Sequence, residues 1–488
     1  MMAPRALIRC DASIKLGAGH VMRCLSCAEA LAWAGWSVTF VTRESTLAVA
    51  PALSASGFDI HIIDNEEDAQ VDEEIRLVVV DHYGLDVAFE RALVRPDRTI
   101  VVIDDLADRP HLCDILVDST PFRAPGDYVR QTPPSVRLLL GPSYVLVRAH
   151  WRAARARTWA RLALGPPVER IIVSMGATDP DDTTSRVLAA LASTGIKAHV
   201  DVVLGAGAPH RGHVSEFIGP RMTLHVDPAD LTALASQADL AIGASGSSSF
   251  ERALLGLPAV LIPNADNQCF IAAAFTAIGA AEVLPASLLD DPAALGTRIA
   301  ALAADRARRA VMSKKAAAIA DGRGAMRLLT EIAGQVTAKD GAGIRLRLAE
   351  PKDETWLLDL QRQPETRRYS RNPSLPDSEQ HGNWMTRTLD DLRILLAIVE
   401  VNGLPAGMIR LDRKSASGQK SAFDMSIAID PVRHRRGIGA ATLALARRLA
   451  PGAVLDATVL PANVASLQLF QRAGFHPVGD HIFRSLPS

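Results

Sequence analysis

Ala6-Leu-Ile-Arg9-Cys10-Asp11-Ala-Ser-Ile-Lys-Leu-Gly17-Ala-Gly19-His20-Val-Met-Arg23 reads as a short apolar strand, a glycine turn and the start of a helix. Gly17 and Gly19 permit a tight strand-to-helix turn and let a ligand come close to the backbone. His20 falls at the helix start, at the carboxyl edge of the strand. A histidine there can take a proton from a water or hydroxyl near neutral pH, or it can simply cap the helix.

The same alternation continues to about residue 330. Apolar, β-branched runs predict strands at Ala6–Arg9, Ser37–Val41, Leu77–Val80, Thr99–Ile103 and Ile115–Val117. After a break near 150–168 they resume at Arg170–Ser174, His199–Leu204, Thr223–Val226, Leu240–Ile242 and Ala259–Ile262. Strands separated by helical stretches give parallel sheets covered on both faces. The expectation is an α/β protein with two Rossmann-like lobes, residues 1–155 and 156–336, whose ligands lie at the carboxyl ends of the strands. Thr337-Ala-Lys-Asp-Gly-Ala-Gly343 has little to bury and reads as a linker. Beyond it, Ile344–Leu348 alternates like a half-buried strand, and runs at Arg393–Glu400, Gly407–Asp412 and Phe423–Ile429 follow one another as neighbours. That grammar predicts an α+β domain over 344–488.

Composition narrows the classes. The 488 residues are 48% hydrophobic and 22% charged, which excludes wholesale disorder and a disulfide mini-scaffold. A net charge of -1 gives no overall footprint for nucleic acid or an anionic membrane. No apolar run reaches the ~18 residues of a membrane span. Polar Asp11 arrives before a signal-peptide core forms, so the expected location is the cytoplasm. The five cysteines are few for this length and fit a reducing compartment. Cys24-x-x-Cys27 lies in an apolar helical pattern, which favours buried thiols over a redox pair.

Further candidates sit at strand ends. Val80-Asp81-His82-Tyr83 would bring Asp81 and Tyr83 to the same edge as His20, or cap a helix. Asp104-Asp105 lacks a companion ligand at metal spacing, and no metal is expected. Val173-Ser174-Met175-Gly176-Ala177 is a turn suited to anions. Ile242-Gly-Ala-Ser245-Gly246-Ser247-Ser-Ser-Phe-Glu251-Arg252 leaves small-residue amides for a diphosphate at a helix start. Glu251 reads equally as a ribose ligand or a solvated helix face. Asp266-Asn267-Gln268 tips the next strand.

Taken in order, Gly17-Ala-Gly19-His20, Asp81-His-Tyr83, Ile103-Asp-Asp-Leu-Ala-Asp-Arg109, Leu140-Gly-Pro-Ser-Tyr144, Ser174-Met-Gly176 and Gly246…Glu251…Leu257-Pro258…Asp266-Asn267-Gln268 resemble one family over about residues 4–330. It is the UDP-2,4-diacetamido-2,4,6-trideoxy-β-L-altropyranose hydrolase family of pseudaminic acid biosynthesis, related to GT-B glycosyltransferases. The resemblance implies metal-independent, inverting hydrolysis at the sugar C1, with His20 as base and Tyr83 on the substrate side. It implies substrate contacts from Gly17, Gly19, Asp81, Ser174, Met175, Gly176, Gln268 and Asn267, diphosphate contacts from the amides of Ser245, Gly246 and Ser247, and ribose held by Glu251. Ala177 and Ser245-Gly246-Ser247 depart slightly from the family's glycines but keep every amide. A GT-B glycosyltransferase with an acceptor alcohol is the alternative.

In the third block, Asp424-Met-Ser-Ile427-Ala-Ile429-Asp-Pro-Val-Arg433-His434-Arg435-Arg436-Gly437-Ile438-Gly439-Ala440 is a strand, a basic glycine turn and a helix. With Asn463 and Gly474-Phe475 further on, it resembles the GNAT N-acetyltransferases over about 343–484. The resemblance implies acetyl-CoA bound by Ile427, Ile429, Arg435, Arg436, Gly437, Ile438, Gly439, Ala440 and Asn463. His434 replaces the family's usual Arg or Gln. Phe470 stands where many members carry a Tyr that protonates the thiolate, so activity depends less on an acid or the module only binds acetyl-CoA. Arg367-Arg-Tyr369-Ser370-Arg371-Asn372, His381 and Trp384 look like a substrate side, or an ordinary loop and helix. The expected whole is a bifunctional enzyme whose partners are a UDP-sugar, acetyl-CoA and other enzymes of the same pathway, with neither nucleic acid nor membrane.

Overall fold

The computed structural model describes residues 3–68, 71–370, 372–414 and 421–487. Arg371 therefore lies outside the described residues. The chain forms two compact units, one of Ala6–Glu29 and Val38–Ala325, the other of Met1–Arg5, Ala30–Ser37 and Met326–Ser488.

The first unit holds two sheets. One comprises β1 (Arg5–Cys10), β2 (Ser37–Thr42), β3 (Asp59–Ile62), β4 (Ile75–Asp81), β5 (Thr99–Ile103), β6 (Ile115–Asp118) and β7 (Arg137–Leu140), in the order β3-β2-β1-β4-β5-β6-β7. The other comprises β8 (Arg170–Ser174), β9 (His199–Leu204), β10 (Met222–Val226), β11 (Leu240–Gly243), β12 (Ala259–Leu261) and β13 (Glu282–Val283), ordered β10-β9-β8-β11-β12-β13. Every pairing in the second sheet is parallel, with Ile242 beside Val173 and Val260. Leu77–Val80 and Leu240–Ile242 are buried throughout, because helices cover both faces. In each sheet the order reverses beside its first strand, at β1/β4 and at β8/β11. Connections there leave in opposite directions and open a crevice at the carboxyl ends.

Helix α1 (Gly19–Trp33) follows β1 and helix α2 (Ala149–Leu162) precedes β8. Trp151 and Leu162 of α2 are buried with Leu254, Phe275 and Ile319 of the second lobe. The apolar face of this helix therefore packs on the second lobe's core.

The second unit is built on β14 (Gln335–Thr337), β15 (Gly343–Leu348), β16 (Ile394–Val401), β17 (Leu404–Arg413), β18 (Ala422–Ile429), β19 (Val454–Thr458), β20 (His476–Gly479) and β21 (Ile482–Ser485). Their order is β14-β15-β16-β17-β18-β19-β21-β20, antiparallel except for the parallel pair β18–β19. Trp33 packs on Phe423 with ring centroids 4.5 Å apart. The expected linker Thr337–Gly343 is a hairpin instead. Thr337 pairs with Gly343, and Ala338 N–H donates to the Ala342 carbonyl at 2.8 Å. Polar Asp340-Gly341 serves a tight turn as readily as a linker, and here a strand on either side decides between them.

Candidate functional site

The β1/β4 crevice collects the first lobe's polar residues. Gly17 (φ +74°) bends the chain back so that its N–H donates to the Ser13 carbonyl at 2.8 Å, and α1 starts two residues later. A Cβ on Gly19 would stand 2.9 Å from Ser247 Oγ, which would have to turn away. His20, on the first turn of α1, is 5% exposed, and its Nδ1 lies 2.6 Å from Asp81 Oδ1 at the end of β4. Arg23, one turn along the same helix face, donates Nε and Nη2 to the two Asp81 oxygens and Nη1 to Asp105 Oδ2, each at 2.6 Å. Tyr83 donates to Asp105 Oδ1 at 2.9 Å, accepts from Asn267 Nδ2 at 3.2 Å, and meets the His20 ring edge-on at 4.5 Å.

Electrostatics follow from this geometry. Burial opposes the Asp81 charge, yet the Arg23 guanidinium and His20 hold the carboxyl well below the usual range. Asp105 is likewise lowered against its burial by Arg23 and His20. Burial and the Asp105 charge push the Tyr83 phenol far up, so it stays a neutral donor. His20 Nδ1 faces both Asp81 Oδ1 at 2.6 Å and Arg23 Nη2 at 3.1 Å, and in the tautomer that donates Nδ1–H to the carboxylate, Nε2 carries the lone pair.

Asp81, expected as a substrate contact, faces protein groups in this structure. It is fully buried and its oxygens are taken up by His20, Arg23 and Cys24 Sγ at 3.5 Å. Arg23 and Asp105 are the residues that sequence reasoning missed as members of this cluster. The spacing of Arg23 at i+3 from His20 was the available signal. Asp104 serves elsewhere, accepting from Tyr128 OH, Arg109 Nη1 and Ala107 N. Among the described residues no group of three or more His, Cys, Asp or Glu side chains is placed to hold a metal. Cys24 and Cys27 are buried, and burial raises the Cys27 thiol to about 12.

In the second lobe, the loops after β8 and β11 flank the other crevice. Met175 is a core residue, 1% exposed, and its carbonyl accepts from Asn264 Nδ2 at 3.3 Å. Ser174 and Gly176 (φ +111°) frame it. The Ser245 amide donates to Gln268 Oε1 at 3.0 Å, which also accepts from Asn264 N at 3.3 Å. Gln268 therefore braces the loop, and of the three expected amides Ser245's already has a partner. Gly246 and Ser247 lead into helix α3 (Ser248–Leu254). Arg252, 6% exposed, donates to the Ala244 carbonyl at 2.5 Å and to Ser248 Oγ at 3.2 Å. Glu251 is half-buried, and its carboxylate makes no hydrogen bond among the described residues. Burial pushes its carboxyl up to about 7, against the pull of Arg252 and Arg148.

The second unit carries a separate cleft. β18 and β19 pair only from Ala422↔Val454 to Asp424↔Asp456 and then part. The gap opens into a cleft of about 2040 Å³ lined by Ile427, Ile429, Gly437, Gly439, Thr458 and Phe470, among others. Gly437 (φ +88°) starts helix α4 (Ile438–Leu449), and Arg435 before it is also left-handed. A Cβ on Gly437 would stand 2.7 Å from the Lys339 Cβ and backbone nitrogen, so packing requires glycine there, and one on Gly439 would press on Leu469 at 3.0 Å. The exposed Ala440 lines the cleft beside buried Ile438. The Ile429 carbonyl accepts from the His434 ring at 3.0 Å. Arg436 pairs with Asp340 at 2.6 Å. Asn463 caps helix α5 (Val464–Arg472) through Ser466 N at 3.1 Å. Phe470 is buried, 5.1 Å from Phe475 ring to ring. At the far end His381 is buried 5.1 Å from Trp384, and Arg367 ties its own loop through the Asn372 carbonyl at 2.7 Å.

Residues 344–476 match the family described as Acetyltransferase (GNAT) domain. The N-terminal half resembles the UDP-2,4-diacetamido-2,4,6-trideoxy-beta-L-altropyranose hydrolase of Campylobacter jejuni, 22% identical over 259 residues, 51% of this chain and 88% of that protein. The spore coat polysaccharide biosynthesis protein SpsG of Bacillus subtilis is 27% identical over 198 residues, 40% of this chain. The chain spans little more than half of SpsG, 57% of its length. Among solved structures, MurG of Acinetobacter baumannii is similar at 16% identity and a TM-score of 0.44, over 66% of this chain and 97% of that one. No helix among the described residues is long and apolar enough to cross a membrane.

Proposed function

We propose that the two-lobed unit hydrolyses UDP-2,4-diacetamido-2,4,6-trideoxy-β-L-altropyranose, and that the GNAT-matching domain acetylates the 4-amino group of its UDP-sugar precursor with acetyl-CoA. The observation that carries the first half is the buried His20–Asp81 pair at 2.6 Å, set at a strand-order reversal. Asp81 fixes the ring so that Nε2 takes a proton from water. The water oxygen bonds to the sugar C1 as the C1–O bond to UDP breaks on the opposite face, which inverts the anomeric centre. The proton gained by His20 brings the cluster of Asp81, Asp105 and Arg23 to neutrality. UDP departs with the bonding electrons, its charge met by the Gly246 and Ser247 amides and the buried Arg252 guanidinium. The Glu251 carboxylate, with no hydrogen bond of its own among the described residues, serves the ribose hydroxyls, while Tyr83 and Asn267 border the sugar.

In the GNAT-matching domain, the neutral amine nitrogen attacks the thioester carbon, its N–H proton passes to solvent water and the C–S bond breaks. Phe470 donates no proton, so the sulfur leaves as thiolate or takes its proton from water; a thiol with an ordinary pKa near 8.5 tolerates this. The cleft between β18 and β19 fits the extended thioester arm, and the basic turn at Arg433–Gly437 fits its phosphates.

Time-resolved product analysis of the 4-amino UDP-sugar with acetyl-CoA tests both halves. The expected order is N-acetylated UDP-sugar, then UDP and free sugar. UDP appearing only when an acceptor alcohol is added would replace hydrolysis with glycosyl transfer. Bound acetyl-CoA that is never consumed would reduce the domain to a binding module.

A further inference from the structure

The hairpin turn between β14 and β15 lies outside the matched GNAT residues, which begin at 344. Yet it forms a wall of the same cleft. Lys339 is exposed, lines the cleft, and has its Cβ 2.7 Å from where a side chain on Gly437 would begin. Its neighbour Asp340 takes Arg436 at 2.6 Å and also accepts from Ala342 N at 3.2 Å. The turn is thus fixed against the basic glycine loop at two successive residues. Pairing with Asp340 turns one of the loop's arginines to the protein itself. Lys339, Arg433 and Arg435 all line the cleft, and none has an ion-pair partner among the described residues.

We propose that Lys339 is a phosphate ligand of the acyl-CoA site, its ammonium set against the pyrophosphate at the Gly437 loop. This rests on the reading of the domain as an acetyl-CoA site. From a Cβ beside Gly437, a four-carbon stem carries the charge over the loop amides. A point charge on a flexible stem suits a pyrophosphate, which presents oxygens in several directions. The residues that read as a linker therefore complete the binding site, and a domain cut at 344 would lack this cation.

The test measures CoA and dephospho-CoA affinity for the full chain and for Lys339→Ala, Lys339→Arg and Lys339→Glu, by calorimetry at two salt concentrations. The expected result is about a tenfold weaker Kd for Lys339→Ala, in the range of a charge-assisted contact. Lys339→Glu should lose more, Lys339→Arg should be close to the parent, and the Ala variant should have a shallower salt dependence. The loss should be equal for CoA and dephospho-CoA. A loss confined to CoA would overturn the assignment in favour of the adenosine 3′-phosphate. Equal affinities for parent and Lys339→Glu would overturn it outright. A parent chain that binds no CoA would instead overturn the acetyl-CoA reading, and this proposal with it. Unchanged thermal melting of the variants excludes misfolding as the cause of a loss.

Discussion

Asp81→Asn separates a positioning role from substrate contact more cleanly than any other change in the first crevice. The side chain is fully buried, and its two oxygens receive His20 Nδ1, Arg23 Nε and Arg23 Nη2, all at 2.6 Å. An amide keeps the shape and one acceptor, but it loses the charge and presents N–H₂ to one of those donors. Removing a partner from a buried ion pair costs about 3–5 kcal/mol. Arg23 retains Asp105 at 2.6 Å, so the lower end, about 3 kcal/mol, is expected in thermal or urea unfolding. The catalytic cost should be greater. Without the carboxylate, His20 can flip or take the other tautomer, a loss of order 10⁴ in kcat where a buried aspartate orients a histidine base. UDP release should therefore fall by about 10³–10⁴, while calorimetric affinity for UDP stays near that of the parent. Turnover within about tenfold of the parent, in a folded variant, would refute Asp81 as the orienting group, because general-base effects start at about a hundredfold. A raised KM with kcat intact would restore the reading of Asp81 as a substrate contact.

His20→Ala should keep UDP binding and lose at least ~100-fold in UDP release; near-normal release by direct UDP assay would remove His20 as the base. Glu251 has its carboxyl pushed up to about 7 from an ordinary 4.5, so the folded chain binds this proton more tightly than the unfolded chain. The resulting stability is complete below about 4.5 and disappears as pH rises through about 7, a difference of about 3 kcal/mol. Glu251→Gln should thus match the parent near pH 4.5 and exceed its stability at pH 8 by up to that amount, with UDP bound more weakly; equal melting curves at pH 8 would show a solvated carboxylate. Phe470→Tyr, in the cleft beside Phe475, should raise acetyl transfer or leave it unchanged between pH 7 and 9, measured as free thiol; a slower, well-folded variant would show that the ring, not a missing acid, matters at that position.

Strands whose both faces are buried were legible. Thr99–Ile103, Arg170–Ser174 and His199–Leu204 lie where their apolar runs put them, because a covered parallel strand needs an unbroken apolar run. Two edge strands were not legible. Asp59–Ile62 is mostly exposed and Glu282–Val283 is two residues long, and neither carries a pattern that distinguishes it from a loop. The candidate site divides in the same way. His20, Tyr83, Glu251 and the glycine turns announce themselves locally, as residues that follow a strand and open a helix. What they bond to is fixed by strand order, which brings residue 81 beside residue 20 and residue 105 beside residue 23. Asp81 was readable as a strand-end carboxylate but not as one wholly claimed by His20 and Arg23. Gln268 was readable as a polar tip but not as the brace on Ser245. The basic glycine loop shows the limit most clearly. Its charge and glycines are local facts, whereas the packing of Gly437 against Lys339 and the pairing of Arg436 with Asp340 join segments about a hundred residues apart. A stretch with little to bury reads as a linker because sequence records the burial of its own side chains, not the neighbour that its backbone supports.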